Sequence, residues 1–186
     1  MGKITESEGF VESEKARLRK QQLKVERIQV KEYGISALVE NLLKDSIGRL
    51  KTHFPQSWQA ITCLAYGRLV YQSPLKNMLF HYSHSYLSEL FPDVNLSPKP
   101  LGSFLRDLGY NRDTIVRFCQ SFKQAGDCIL FDGTDIFSHS QQMDLPKMSK
   151  SKEGTFETLV NLMCVFSVKQ QLPLYYRLLG GNIKDV

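Results

Sequence analysis

The sequence predicts an α+β fold in which a helical N-terminal region precedes a sheet of three strands. Two observations carry this prediction. Apolar residues recur at three- and four-residue spacing through much of residues 33–125, which is typical of helices that bury one face. From Gly126 onward the apolar residues instead form short continuous runs, which are typical of buried strands. We therefore divide the chain into segments 1–32, 33–125 and 126–186.

Composition limits the classes of protein to consider. The 186 residues are 42% hydrophobic and 11% aromatic, which is typical of a folding chain rather than a disordered one. No apolar run approaches the ~20 residues that a membrane helix needs, and the N-terminus lacks the apolar core of a secretory signal. We therefore expect a cytoplasmic protein without a membrane partner. The net charge of +5 suits a nucleic-acid partner without requiring one.

The four cysteines carry no metal-binding pattern. They are far apart in the chain, form no paired Cys-x-x-Cys ligands, and each has apolar neighbours: Cys63, Cys119, Cys128 and Cys164. Free cysteines of this kind are usually small apolar residues of a core. We interpret all four as reduced core residues, in agreement with a cytoplasmic location.

The first 32 residues are polar and strongly charged. Residues 1–11 predict a frayed terminus, because they are polar and contain two glycines. Residues 12–32 contain neither Pro nor Gly and predict a charged helix with only a thin apolar stripe. Its cations, among them Arg17, Arg19 and Lys20, belong either to a solvated helix face or to an arm that contacts DNA phosphates.

Residues 33–125 predict several amphipathic helices separated by prolines. The clearest apolar repeat runs from Ile35 to Tyr71 and is interrupted at Pro55. Further helical repeats follow Pro74 and continue to Lys123. Short amphipathic helices in a basic protein are compatible with a DNA-binding module and equally with plain helical packing, so both interpretations stay open.

The first apolar run of the C-terminal segment leads directly into a carboxylate. Cys128–Phe131 predicts a strand buried on both faces, and Asp132 follows it. Because an unpaired carboxylate is costly to bury, we expect Asp132 to meet a metal ion, a base or water at the strand end. Period-two alternation places Thr134 on the face of Asp132, as a donor near the site, and Asp135 on the opposite face. On physical grounds alone, a turn residue that closes a strand is the alternative for Asp132.

A polar loop and two more strands follow. Residues 138–153 predict a functional or mobile loop. Its cations Lys147, Lys150 and Lys152 either hold a phosphate backbone beside the acidic site or belong to a solvated loop. The apolar runs Thr158–Val168 and Leu172–Leu179 predict the second and third strands. Three strands without covering helices are not a finished domain, so we expect the sheet to be truncated.

Several short motifs stand out in residues 126–186. They are Phe131-Asp132-Gly133-Thr134, Lys152-Glu153-Gly154, Asn161-Leu162, Phe166-Ser167, Leu172-Pro173-Leu174-Tyr175-Tyr176 and Gly180-Gly181-Asn182-Ile183-Lys184-Asp185. Together they resemble the start of the catalytic domain of bacterial insertion-sequence transposases of the DDE type. The resemblance implies an RNase H-like mixed sheet that begins with three antiparallel strands, and it implies that Asp132 is the first catalytic aspartate.

The same resemblance implies a function. Such transposases bind the DNA ends of an insertion sequence and carry out cleavage and strand transfer with Mg²⁺ or Mn²⁺. In this chain it therefore implies that Asp132 is a metal ligand, that DNA is the partner, that other transposase chains assemble with it, and that the location is the bacterial cytoplasm.

The chain departs from the family pattern after its third strand. In the family a second aspartate lies on a fourth strand, in an Asp-Arg-Gly-Phe-like motif, and a glutamate lies on a later helix. Neither is found in this sequence. Asp185 is not the second aspartate, because it belongs to the Gly-Asn-x-x-Asp element, which resembles a structural turn. We therefore expect an N-terminal fragment that is inactive alone. The alternatives are a non-catalytic DNA-binding or regulatory fragment and a degenerate product of a disrupted element.

Overall fold

The computed structural model describes residues 2–7, 9–22 and 28–183. In chain order the elements are β1 (Gly2–Thr5), β2 (Gly9–Glu12), α1 (Glu14–Gln22), α2 (Gly34–Leu42), α3 (Lys44–His53), α4 (Trp58–Tyr71), α5 (Met78–His84), α6 (Leu87–Leu90), α7 (Pro98–Tyr110), α8 (Arg112–Gln120), β3 (Ile129–Phe137), β4 (Lys147–Lys150), β5 (Phe156–Ser167) and β6 (Leu172–Gly180). A single 3-10 turn, Leu75–Asn77, precedes α5. The α+β class that the sequence predicts is confirmed.

The N-terminal segment differs from the predicted helical arm. Strands β1 and β2 pair as an antiparallel hairpin where a frayed terminus was expected. Gly9 starts β2 with φ +67°, a conformation that glycine adopts without steric cost. Helix α1 is described over Glu14–Gln22, residues 23–27 lie outside the described residues, and residues 28–32 of the predicted helix are not helical. Absence of Pro and Gly permits a helix but does not fix its length, which explains the overestimate.

The helical region buries one apolar core, to which α4, α5, α6 and α7 contribute. Its buried members are Cys63, Leu64, Tyr66, Met78, Tyr82, Leu87, Leu96 and Leu101. Met78 is only 1% exposed. It lies against Gly67 of α4, where an added Cβ would come within 2.5 Å of the Met78 Sδ. The missing side chain at Gly67 therefore gives the thioether its space.

A carboxylate anchors the N-terminus of α2. Glu32 accepts hydrogen bonds from the backbone N–H of Ile35 and of Ser36, the latter at 3.2 Å. It also accepts from the Ser36 hydroxyl at 2.8 Å and from the Tyr66 hydroxyl of α4 at 2.5 Å. The first N–H groups of a helix have no intrahelical acceptor, and a negative charge there is favourable. Glu32 therefore both caps α2 and ties it to the core.

The C-terminal sheet is antiparallel, with the long strand β5 in its interior. Strand β3 pairs along one side of β5, from Ile129 opposite Ser167 to Phe137 opposite Leu159. Strands β6 and β4 follow each other along the other side of β5. The second and third predicted strands are confirmed as β5 and β6. Strand β4 was missed, because its four residues, Lys147–Lys150, contain no apolar run.

Strand β3 is exposed, whereas the sequence predicted burial on both faces. Its apolar side chains are between 40% and 66% exposed: Ile129, Leu130, Phe131, Ile136 and Phe137. The strand has β5 as its single partner among the described residues, so its other edge receives no cover from the sheet. An apolar run indicates a strand but does not reveal whether another element covers it.

Helix α8 joins the helical region to the sheet through β6. The Arg112 guanidinium donates hydrogen bonds to the Tyr175 hydroxyl at 3.0 Å and to the Tyr176 carbonyl at 2.9 Å. It also lies over both aromatic rings, 5.3 Å and 5.6 Å from their centroids. A cation over aromatic rings is attracted to their faces. Arg112 therefore fixes α8 to the middle of β6.

Candidate functional site

Asp132 lies in the middle of β3 and not at a strand end. The ladder continues through Gly133 to Phe137, and Asp132 is opposite Cys164 of β5. Its side chain is exposed to solvent. Burial, and after it the negative charge of Asp132, raise the pKa of the Cys164 thiol. The expected strand-end position is therefore wrong, because pairing with β5 extends the strand past a glycine that would otherwise favour a turn.

Thr134 shares the Asp132 face, as alternation predicts. The β3–β5 register has no bulge, and Thr134 is opposite Leu162. The cross-strand neighbours on this face are Cys164 and Leu162, neither of which is an acid. Across residues 2–7, 9–22 and 28–183, no three His, Cys, Asp or Glu side chains form a group that could hold a metal ion. A two-metal centre needs several carboxylates, so the described residues around Asp132 do not fit one.

A polar pocket lies elsewhere in the sheet, beside Asp135. Its volume is about 240 Å³. It is lined by Gly133, Thr134, Asp135, Ser149, Lys150, Ser151, Lys152, Asn161 and Gly181. The structure thus brings together three of the predicted residues, Thr134, Lys150 and Lys152. Asp132 is not among the lining residues.

Asp135 holds the β4–β5 connection against β3. Its carboxylate accepts a hydrogen bond from the backbone N–H of Lys152 at 2.8 Å. The Lys152 ammonium donates to the carbonyl of Gly133. Both contacts join residues far apart in the sequence, so neither period-two alternation nor composition could predict them. The carboxylate that contacts a predicted lysine is therefore Asp135, on the strand face opposite to that of Asp132.

Asn161 gives the pocket an acceptor with no donor. It is opposite Asp135 in the β3–β5 register. Its amide Nδ2 donates to the Ile183 carbonyl, but the buried Oδ1 has no hydrogen-bond partner among the described residues. A buried polar atom without a partner is costly, so a bound donor is favoured there. Asn161 belongs to one of the sequence motifs but was assigned no role there, although a single amide inside the apolar run Leu159–Phe166 was a signal for one.

The pocket suits a polar ligand. The Lys150 side chain is exposed and supplies positive charge, whereas Lys147 lies at the other end of β4 and is not part of the lining. Serine hydroxyls and a lysine ammonium donate to anionic oxygens, while Asp135 and Asn161 accept from ligand N–H or O–H groups. The arrangement therefore offers both donors and acceptors to a polar ligand.

The predicted cations of the N-terminal segment lie on α1, far in sequence from the residues that line the pocket. Arg17, Arg19 and Lys20 are all exposed. Lys20 pairs with Glu12 of β2, and this hydrogen bond lowers the pKa of the Glu12 carboxyl. The charge of Lys20 is therefore partly neutralised by Glu12. Arg17 and Arg19, the other two predicted cations of α1, take part in none of the ion pairs among the described residues.

The four cysteines differ in burial, and Cys119 and Cys164 are half-buried. Cys63 is buried, and this burial raises the pKa of its thiol to about 12, so it is an inert core residue as predicted. Cys128 is exposed at the beginning of the sheet, which contradicts its prediction as a core residue. The reason is the same as for β3, since the apolar neighbours of Cys128 are themselves exposed.

Comparison of the chain with protein-family models, curated proteins and solved structures finds no match. The motifs in residues 126–186 are therefore the basis for any family assignment. Within the described ranges, no helix is long and apolar enough to cross a membrane.

Proposed function

We propose that this chain is a DNA-binding protein of the DDE transposase type, with an RNase H-like sheet, and that Asp132 is the one catalytic carboxylate it contributes. The observation that carries the proposal is the position of Asp132 on β3, the first of three antiparallel strands in the spatial order β3–β5–β6, with the short β4 inserted in the chain between β3 and β5. The motif resemblance implies this position and this strand order. The exposed Asp132 side chain is accessible to a large ligand such as DNA.

Exposed cations support DNA as the partner. They come from α1 and from β4 with the turn that follows it: Arg17, Arg19, Lys20, Lys147, Lys150 and Lys152. The chain as a whole carries a net charge of +5. Cations that neutralise phosphates release condensed counterions, which makes such binding strongly dependent on salt. The proposal assigns these side chains to the phosphate backbone and not to base recognition.

We expect the whole chain to bind a short fluorescent DNA duplex, with an affinity that falls steeply as salt rises. The logarithm of the binding constant should fall by about 0.9 per phosphate contact for each tenfold increase in salt. The double substitution Lys147→Ala and Lys150→Ala should weaken binding and flatten this slope, measured by fluorescence anisotropy. Lys99→Ala, which removes an exposed cation of α7, is the matched control and should leave the slope unchanged. Absence of binding at low salt would contradict the proposal.

A second candidate is a non-catalytic partner that binds DNA without cutting it. The observation that favours it is the lone carboxylate, since the described residues set no other acid beside Asp132. Cleavage and strand transfer require more carboxylates than this face supplies. On this reading the chain occupies DNA ends, or assembles with other transposase chains, and limits their activity.

Incubation of the purified chain with duplex DNA and Mg²⁺ or Mn²⁺ separates the two candidates. We expect no cleavage by the chain alone, because one carboxylate cannot fix two metal ions. The readout is strand scission on a denaturing gel, with Asp132→Asn and Asp135→Asn as matched variants. Cleavage that Asp132→Asn abolishes and Asp135→Asn preserves would instead show that further carboxylates complete a site around Asp132.

A further inference from the structure

Strand β3 has a regular free edge. Cys128 accepts from the Val168 N–H, and the Ser138 N–H donates to Thr158, each at 3.0 Å. The even-numbered residues of β3 therefore direct their backbone groups toward β5, since antiparallel ladders alternate. The odd-numbered residues direct theirs to the opposite edge, where no backbone partner occurs among the described residues. A free edge of this kind is a template for another strand.

The sequence of β3 is complementary to itself about Gly133. In an antiparallel pair of β3 strands centred on Gly133, Ile129 and Leu130 oppose apolar residues, Asp132 opposes a hydroxyl, and Phe131 opposes the Asp135 carboxylate. The pairs are Ile129 with Phe137, Leu130 with Ile136, Asp132 with Thr134, and Phe131 with Asp135. Each pair occurs twice, because the arrangement has two-fold symmetry. We propose that two copies of the chain pair through β3 in this register, so that their two sheets become one continuous sheet.

The exposed side chains of β3 supply the driving force. Leu130 and Ile136 are 58% and 40% exposed, and pairing would remove part of both from water. On the same face the Thr134 hydroxyl donates to the Asp132 carboxylate of the second copy, and cross-strand pairs of this kind stabilise a sheet. Gly133 carries no side chain, so the two backbones meet at the symmetry axis without crowding.

A second copy is favoured over an unlike strand because the complementarity is internal to β3. The contact uses the same residues on both chains, so it closes as a dimer and does not continue into a fibre. Two features oppose it. The first is the pair of Phe131 with the Asp135 carboxylate, which sets a charge opposite an apolar ring. The second is a lysine at the edge. The Lys152 ammonium already donates to the Gly133 carbonyl at the centre of the edge, and edge lysines discourage strand pairing. The carbonyl has two lone pairs, so this contact weakens self-pairing without preventing it.

Sedimentation velocity of the whole chain over a concentration series tests the proposal. We expect a reversible monomer–dimer equilibrium. Gly133→Pro removes an outward N–H while leaving the β5 ladder intact, and should weaken dimerisation at least about tenfold, or ~1.4 kcal/mol. Lys152→Ala removes the opposing ammonium and should strengthen dimerisation. A chain that stays monomeric at every concentration, or that forms extended polymers without a dimer, would overturn the proposal.

A mixing experiment tests the register without relying on proline. Leu130→Lys and Ile136→Glu should each weaken the homodimer, because each sets a charge opposite an apolar residue. Mixed together they should form a heterodimer, since the introduced ammonium and carboxylate would then face each other across the pair. Ile129→Lys mixed with Ile136→Glu is the matched control, because those positions are not opposite and lie on different faces. Equal rescue in both mixtures would contradict the register, and circular dichroism verifies that each variant is folded. The assay contains no DNA, so its outcome does not depend on the proposed function.

Discussion

Replacing Met78 with alanine is expected to lower the free energy of unfolding of the helical region by about 2–5 kcal/mol. Met78 is 1% exposed and belongs to the apolar core. Truncating it removes buried methylene groups and leaves a cavity that the surrounding helices refill only in part. Urea denaturation followed by circular dichroism measures the loss. Leu79→Ala, at the next position of α5, is the control, because Leu79 is 41% exposed and should cost much less.

The contact between Gly67 and Met78 allows a second, double-mutant test of how the core packs. In the native chain a methyl group at Gly67 would press on the Met78 sulfur, which offsets the helix propensity that alanine gains over glycine. In the Met78→Ala background that conflict is removed. Gly67→Ala should therefore be more favourable in the double variant than alone, and the double-mutant cycle should give a clear coupling energy. Strict additivity would show that the two side chains do not share one space.

Glu32→Ala is the second substitution with a large expected effect. It leaves the Tyr66 hydroxyl without its carboxylate acceptor, whereas the fully buried Ser36 hydroxyl keeps the Tyr66 oxygen, at 3.2 Å, as its remaining acceptor. Each buried donor left unpaired costs about 1–3 kcal/mol. Loss of the negative charge at the start of α2 adds to this. Glu40→Ala, which removes an exposed carboxylate from the same helix, is the control and should change stability little.

The same carboxylate makes stability depend on pH. Burial disfavours the charged form of Glu32, but hydrogen bonds from Tyr66, Ser36 and the N–H groups of Ile35 and Ser36 outweigh it and lower the pKa below its ordinary value of 4.5. The contribution is therefore present above the pKa of the unfolded chain and is lost as pH falls through the lower folded pKa. Comparison with Glu32→Gln across this acid range measures it, and a constant difference would contradict the assignment.

Sequence patterns correctly predicted those helix boundaries and strands that depend on neighbouring residues in the chain. Pro55 correctly indicated a break between α3 and α4. The apolar run Thr158–Val168 correctly indicated β5, because a run of that length in the interior of a sheet contacts neighbours on both sides. The exposure of Leu38 and Leu42, at 56% and 72%, was not predicted from their helical spacing. Spacing defines a face of α2 but not what covers it.

The sequence predicted several residues of the candidate site, among them Thr134, Lys150 and Lys152, but not the contacts that bring them together. Alternation correctly separated Asp132 from Asp135. The contact between Asp135 and Lys152 depends on how the turn after β4 returns to β3, across 17 positions of sequence. The orphan oxygen of Asn161 likewise depends on the position of Ile183 relative to β5. Such contacts follow from tertiary folding, which single-sequence periodicity does not encode.

The contact made by Arg112 has a mechanical consequence. The change in composition at residue 126 suggests that the chain could be separated there into two independent parts. Arg112 belongs to the helical side of that border, yet it binds Tyr175 and Tyr176 of β6. A displacement of β6 therefore pulls directly on α8 without passing through residues 121–128. The two parts are therefore coupled by more than the peptide chain between them. The contact of the Arg112 guanidinium with the two tyrosines of β6 couples them directly.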